Sequence, residues 1–111
     1  MAVTVKWTGK TGKVYEMELC QFGKPFISAS GVYIFCKPAS AANRWDSIYA
    51  GEAEDFDDRL NKNLASHHRW DCIKRNGATN VCVIQVAGGK AARTAVETDL
   101  RTALDPPCNR Q

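Results

Sequence analysis

Two stretches of this chain are apolar along nearly their whole length: GVYIFCK (31–37) and NVCVIQV (80–86). An extended strand turns alternate side chains to opposite faces, so a run without alternation leaves neither face fit for water. Both runs are expected to be buried strands, the second one central. A chain of 111 residues that must cover such strands is committed to a sheet with other elements packed against it.

Elsewhere the period differs. VTVKW (3–7) sets Val3, Val5 and Trp7 on one side. KVYEMEL (13–19) alternates Tyr15, Met17 and Leu19 against Val14, Glu16 and Glu18. With the turn sequence TGKTG between them, they predict a β-hairpin with one apolar face. Gly9-Lys10-Thr11 has the wording of the end of a phosphate-binding loop, but Thr4 stands where its first glycine belongs, and a hairpin follows instead of a helix. FGKPFISAS (22–30) reads as a loop carrying Gly23 and Pro25, and PASAANRWD (38–46) as a connector before a short strand, SIYAG (47–51), expected beside strand 31–37.

From Ala53 the spacing turns helical. Phe56, Leu60 and Leu64 stand four apart over about 53–64, and acids at 54, 55, 57 and 58 fill the first turns, where the helix dipole favours them. His67 to Lys74 is expected to form a second short helix with Trp70 and Ile73 inward, closed by Asn76-Gly77. Residues 91–104 form the strongest helical pattern, with Ala92, Val96, Leu100, Ala103 and Leu104 on one face and Pro106-Pro107 as its stop. The expected fold is α+β: one domain over 1–111, a small, mostly antiparallel three-stranded sheet flanked by helices, with an extra N-terminal β-hairpin and loop over 1–30.

Composition narrows the class. With 44% hydrophobic and 24% charged residues, this is the make-up of a globular domain. No window approaches the roughly 20 apolar residues of a membrane span, and no basic stretch followed by an apolar core marks an export signal. The five cysteines, at 20, 36, 72, 82 and 108, include no CxxC pair, which removes the usual zinc-knuckle signal. An odd count without an export signal leads to the expectation of five reduced thiols in a cytoplasmic protein, with Cys36 and Cys82 in the core. The net charge is +3 and uneven. EAEDFDD (52–58) holds five acids and no base, whereas Arg59 to Gln111 carries nine bases and four acids. A cationic second half suits a phosphate partner, although a solvated basic surface is the default explanation of the charge alone.

The chemistry-bearing residues fall at telling intervals. Tyr33 closes the triplet Gly31-Val32-Tyr33, and Tyr49 opens Tyr49-Ala50-Gly51. Arg59 follows ten residues later, Glu97 lies midway along the last helix, and Asn109 follows the two prolines. In these residues the chain resembles the GIY-YIG endonuclease superfamily, GVY standing for GIY and YAG for YIG. It is most similar to the nuclease module of the bacterial excision-repair incision subunit, whose layout IYAGEAEDFDDRL matches without a gap. The resemblance covers 31–109.

It implies a small DNA endonuclease that hydrolyses phosphodiester bonds with a tyrosine-activated water and one divalent cation, Mg²⁺ or Mn²⁺. Tyr33 or Tyr49 would be the base. Tyr33 is preferred because Glu52 stands closer in sequence to Tyr49, and a carboxylate raises a phenol's pKa. The fixed planar charge of Arg59 suits a phosphate in the transition state. Glu97 would offer a hard oxygen to the cation, and Asn109 would brace the site. A family histidine or tyrosine one turn past the arginine would fall at Asn63, so His67 or His68 is the candidate replacement. DNA would approach over Lys62, Arg69, Lys74, Arg75, Arg93 and Arg101, with Lys6, Lys10 and Lys13 of the hairpin as further phosphate contacts. With no separate targeting domain, specificity would come from a protein partner, a homodimer or the shape of the substrate.

Each residue also has a plainer reading. Tyrosines in apolar strands are often core residues. Arg59 can pair with Asp55 and Glu97 with Arg93 or Arg101 along a helix, and Asn109 can be a turn residue. The family's repair members carry a lysine after YIG where this chain has Glu52, and the acids at 54, 57 and 58 would repel phosphate. This departure supports an alternative: a catalytically weakened module of the same fold that binds nucleic acid or a protein. A third reading pairs Cys72 or Cys36 with His67 or His68 as a nucleophile and base.

Overall fold

The computed structural model describes residues 3–22, 25–41 and 43–110; Gly23 of the expected loop and Ala42 of the connector lie outside them. Five strands form one sheet: β1 (Thr4–Thr8), β2 (Val14–Gln21), β3 (Gly31–Pro38), β4 (Trp45–Ala53) and β5 (Asn80–Gln85). They are ordered β1-β2-β5-β3-β4, every neighbouring pair is antiparallel, and the sheet curls into a half-barrel.

This corrects the expected three-stranded sheet with an added hairpin. The hairpin is an integral part of the sheet, because Glu18–Gln21 of β2 pairs with Val83–Asn80 of β5. Its apolar face explains why: Trp7, Tyr15 and Met17 are buried in the same cluster as Val32, Ile34, Cys36 and Cys82. Left unpaired, β5 would expose an open edge to water. Helices are also fewer than expected, and only the last one reaches its expected length. Among the described residues there are two α-helices, α1 (Trp70–Arg75) and α2 (Gly89–Leu104). Neither is long and apolar enough to cross a membrane.

The sheet separates two clusters, and β3 belongs to both. Val32, Ile34 and Cys36 face α2, where Leu100 is buried. Tyr33 and Phe35 face the other side, among Phe56, Leu60 and Ile73. Burial on both faces is what the unbroken apolar run of this strand requires. In β4 the register slips between Phe35 and Cys36: Phe35 pairs with Tyr49, and Cys36 pairs with Ser47. Ile48 is the extra residue of this bulge, and both Ile48 and Tyr49 join the Tyr33 cluster. The bulge thus sets which way Tyr49 points.

The helix expected over 53–64 is delayed and irregular. β4 runs on to Ala53. Asp55 Oδ1 then accepts the Asp58 amide at 3.2 Å, as an N-cap does. The chain continues as a π-helical turn, Asp58–Lys62, whose wide ring is closed by the Asn63 amide donating to the Asp58 carbonyl at 2.9 Å. Phe56 and Leu60 still reach the core. Asp57 accepts the Phe26 amide at 2.9 Å and anchors the preceding loop. The second helix likewise begins later than expected, at Trp70, with Ile73 fully buried. After α2, Asp105 adopts a left-handed conformation (φ 45°) and turns the chain into a 3₁₀ turn, Pro107–Asn109.

The cysteines do not all remain thiols. Cys72 of α1 and Cys108 of the 3₁₀ turn form a disulfide, which corrects the expectation of five reduced thiols. Cys20, Cys36 and Cys82 are free, the last two buried as expected.

Candidate active site

Both motif glycines are required by close packing. A side chain on Gly31 would collide with the Ile84 carbonyl and sit 2.7 Å from the Phe56 ring. One on Gly51 would sit 2.6 Å from the Tyr33 ring carbon and hydroxyl and 2.8 Å from the Tyr49 ring. Gly51 is therefore the floor on which the two phenols meet. Their ring centroids are 6.1 Å apart, on the same face of the sheet.

Tyr33 is fully buried, and its hydroxyl lies 2.7 Å from His67 Nε2. The Arg69 amide donates to His67 Nδ1 at 3.0 Å. Nδ1 therefore carries no hydrogen, and the proton of the neutral ring sits on Nε2 and is donated to the phenol oxygen. Burial first, then the charges of His68 and Arg59, lower the His67 pKa to about 4. Burial, and then proximity to Tyr49, raise the Tyr33 pKa well above the usual range for a phenol, while the Arg59 charge opposes this. Neither histidine lies on a helix. His67 is buried, and His68 stacks on it at 4.8 Å with its ring exposed. The pKa of His68 is also lowered, by burial and then by Arg69 and Arg59.

Tyr49 is buried as well, with 8% of its surface exposed against none for Tyr33, but unlike Tyr33 it borders a cleft. It lines a cleft of about 190 Å³ together with His68, Arg69, Glu97, Arg101 and Asn109. Its pKa is raised by burial and next by Glu97, against the lowering charges of Arg59, Arg69 and Arg101. The reason for preferring Tyr33 as base also falls away. Glu52 lies on the other side of the sheet, where Arg93 Nε reaches it at 2.8 Å and Lys90 Nζ at 2.9 Å. Burial pushes the Glu52 carboxyl up, but hydrogen bonds and charge from these two bases win and hold it below its usual value.

Asn109 grips β4 at both polar groups of one residue. Its Oδ1 accepts the Ala50 amide at 2.8 Å, and its Nδ2 donates to the Ala50 carbonyl at 2.9 Å. β4 is an edge strand, so these bonds satisfy groups that no further strand reaches. Glu97 accepts a hydrogen bond from Arg101 Nε at 3.1 Å. Arg93 does not join that row: it is buried and committed to Glu52, which removes it from the expected phosphate-binding set. Lys62 is exposed and pairs with Asp57 at 3.6 Å. Arg59, Arg69, Lys74 and Arg75 have no ion-pair partner among the described residues.

The thiol–histidine reading fails. Cys72 is in the disulfide, and Cys36 is buried in the cluster opposite His67. Cys36 is also kept protonated, by its contact with Cys82 first and burial second. Of the expected hairpin contacts, Lys10 and Lys13 flank a turn that α2 holds through Asp99. The Asp99 carboxylate accepts the Thr11 amide at 2.9 Å and the Tyr15 hydroxyl at 2.8 Å. A larger open groove of about 910 Å³ lies over β2 and β5, away from the tyrosines. Its polar lining is Thr4, Glu16, Glu18, Gln21 and Gln85, with no cation among the described residues, so it does not suit phosphate.

Arg69, expected from the sequence only as one of several bases facing DNA, does two jobs: it fixes the His67 tautomer through its backbone and lines the cleft. Only its place immediately after His67-His68 hinted at the first. Compared with family models, curated proteins and solved structures, the chain matches none.

Proposed function

We propose that this protein is a small divalent-metal-dependent DNA endonuclease of the GIY-YIG type, working at the Tyr49 cleft. The observation that carries this reading is the convergence of residues scattered from 49 to 109 on one small polar cleft: a phenol, two guanidiniums, a carboxylate and an amide. Of the two cleft guanidiniums, Arg69 has no carboxylate partner among the described residues; Arg59 does not line the cleft, but it too is unpaired and its charge acts on Tyr49. Unpaired cations in and beside a cleft are available to a phosphodiester.

Tyr49 is the preferred base, because its side chain lines the cleft and three arginines oppose the rise of its pKa. Tyr33 supports the site from below, with its oxygen held by His67. Arg59 and Arg69 bind the phosphate and offset charge that grows on its oxygens. Asn109 keeps the Tyr49 strand in register. Glu97 is the residue that would hold one Mg²⁺ or Mn²⁺. Among the described residues no three potential ligands cluster. A single hard carboxylate in a polar cleft nevertheless fits a cation that keeps most of its waters and takes substrate oxygens as further ligands. When bound, it would supply charge stabilisation at phosphorus and at the leaving oxygen.

DNA is the proposed partner, approached over Arg69, Arg101, Lys62, Lys74 and Arg75. The test is nicking of supercoiled plasmid with Mg²⁺ or Mn²⁺ against EDTA. Cutting that needs metal and disappears in Glu97→Ala, with the circular dichroism spectrum unchanged, is the expected result. Full activity in that variant removes the single-carboxylate mechanism. A second reading, a module that binds without cutting, is favoured by the Arg101 bond that already occupies Glu97. Salt-sensitive DNA binding with no nicking would select it.

A further inference from the structure

We propose that the Cys72–Cys108 disulfide is a redox latch on the Tyr49 cleft: it holds the Asn109 brace against β4, and its reduction lets the brace go. This rests on the Tyr49 cleft being the working site, as proposed above. The placement of the two half-cystines carries the inference. Cys108 is the immediate neighbour of Asn109 in a 3₁₀ turn of three residues, too short to hold itself in place. Cys72 lies in the first turn of α1, which begins directly after His68 and Arg69. The bond therefore ties together two walls of one cleft, the His68–Arg69 wall and the Asn109 wall. The strand between them is the one that needs holding. β4 is at the sheet edge, and the outward amide and carbonyl of Ala50, next to Tyr49, are met by Asn109.

The surroundings also define how the bond opens. Cys108 is fully buried, whereas Cys72 is half-buried. Asn76 Nδ2 donates to the Cys72 carbonyl at 2.8 Å and lies against both sulfurs, 3.4 Å from that of Cys108 and 3.5 Å from that of Cys72, so the choice of sulfur rests on burial. A thiolate of an external dithiol attacks the Cys72 sulfur, the one it can reach, and forms a mixed disulfide. Cys108 leaves as a thiolate steadied by the Asn76 amide and then takes a proton. The second thiol of the reductant next attacks its own sulfur in the mixed disulfide and releases Cys72. The dithiol ends as a disulfide, and the protein gains two thiols and two electrons.

The readout is hydrogen exchange at the Ala50 amide, which does not depend on catalysis. It is measured by NMR on the full chain, oxidised and then reduced with dithiothreitol, and on a Cys72→Ser, Cys108→Ser double variant. Reduction, and the double variant in either condition, should speed exchange at Ala50 by about tenfold or more, while Tyr33 and Val83 in the inner strands keep their protection. Asn109→Ala should show fast exchange at Ala50 in both redox states. Plasmid nicking should fall in step with the loss of protection in the wild-type protein. Equal protection of Ala50 in oxidised and reduced protein overturns the latch. So does a simultaneous loss at Ala50, Tyr33 and Val83, which would make the bond a staple of the whole fold. An oxidised protein that never nicks refutes the endonuclease reading, and the exchange experiment still decides the latch.

Discussion

Acid should weaken this fold through one ring, and the size of the effect follows from where that ring sits. His67 is buried beneath the two phenols, its Nδ1 is occupied by the Arg69 amide, and its Nε2–H is given to Tyr33. Charging it would require a second proton on Nδ1, where the Arg69 amide already points, close to Arg59 and His68. Burial, the largest cause, and these charges hold its pKa near 4 in the folded state, below its ordinary 6.5. The sign is fixed by proton counting. Between those two values the unfolded chain binds more protons than the folded one, so stability is complete above about pH 6.5 and is lost as the pH falls toward 4. At about 1.4 kcal/mol per pH unit, the full linkage is about 3 kcal/mol, and 2–3 kcal/mol is the expected range once partial solvent contact at the ring edge is allowed for. Carboxylates such as Glu52, whose pKa is lowered, add their own acid loss at lower pH. The decisive quantity is therefore a difference. Urea unfolding of wild type and His67→Gln at half-unit steps from pH 7.5 to 4 should give curves that converge as the pH falls, the wild type losing about 2–3 kcal/mol more than the variant. Parallel curves would refute the reasoning, as would an NMR titration that finds the His67 ring protonating near its ordinary value.

Three further perturbations follow from the same geometry. Gly51→Ala forces a methyl group between the Tyr33 and Tyr49 rings; overpacking of this kind should cost about 2 kcal/mol in urea unfolding and sharply reduce nicking. Glu52→Ala leaves the buried Arg93 guanidinium without its 2.8 Å partner and should lower stability by about 2 kcal/mol, whereas Lys90→Ala, at the exposed end of the same network, should change it by less than about 0.5 kcal/mol. Asp99→Ala removes the acceptor for Thr11 and Tyr15; it should lower the Tm and speed amide exchange at Thr11, and an unchanged Thr11 amide would show that the α2–hairpin contact does not hold the turn.

Much of the sheet was legible because strand patterns are local. The unbroken runs of β3 and β5 announced burial on both faces, and the alternation of Tyr15, Met17 and Leu19 announced one apolar face on the hairpin. The stripe of Phe56 and Leu60 reached the core as spaced. The sequence also marked Tyr49, Glu97 and Asn109, which the fold brings to one cleft, and both histidines, one lining that cleft and the other beneath the phenols.

What the chain could not declare locally was settled by contacts distant in sequence. The pairing of β2 with β5 joins residues some 60 apart, and no periodicity within either strand encodes its partner. The bulge at Ile48 and the face taken by Glu52 are matters of register, in which one residue's slip reverses every side chain. That is why an acid that looked hostile to Tyr49 in one dimension is neutralised by Arg93 on the far side of the sheet. The disulfide was hidden for the same reason: spacing cannot say which cysteines will meet, and only the turn after α2 brings Cys108 to α1. Local period marked the strands, the last helix and much of the core; the chain's closure on itself determined which side chains share a cleft.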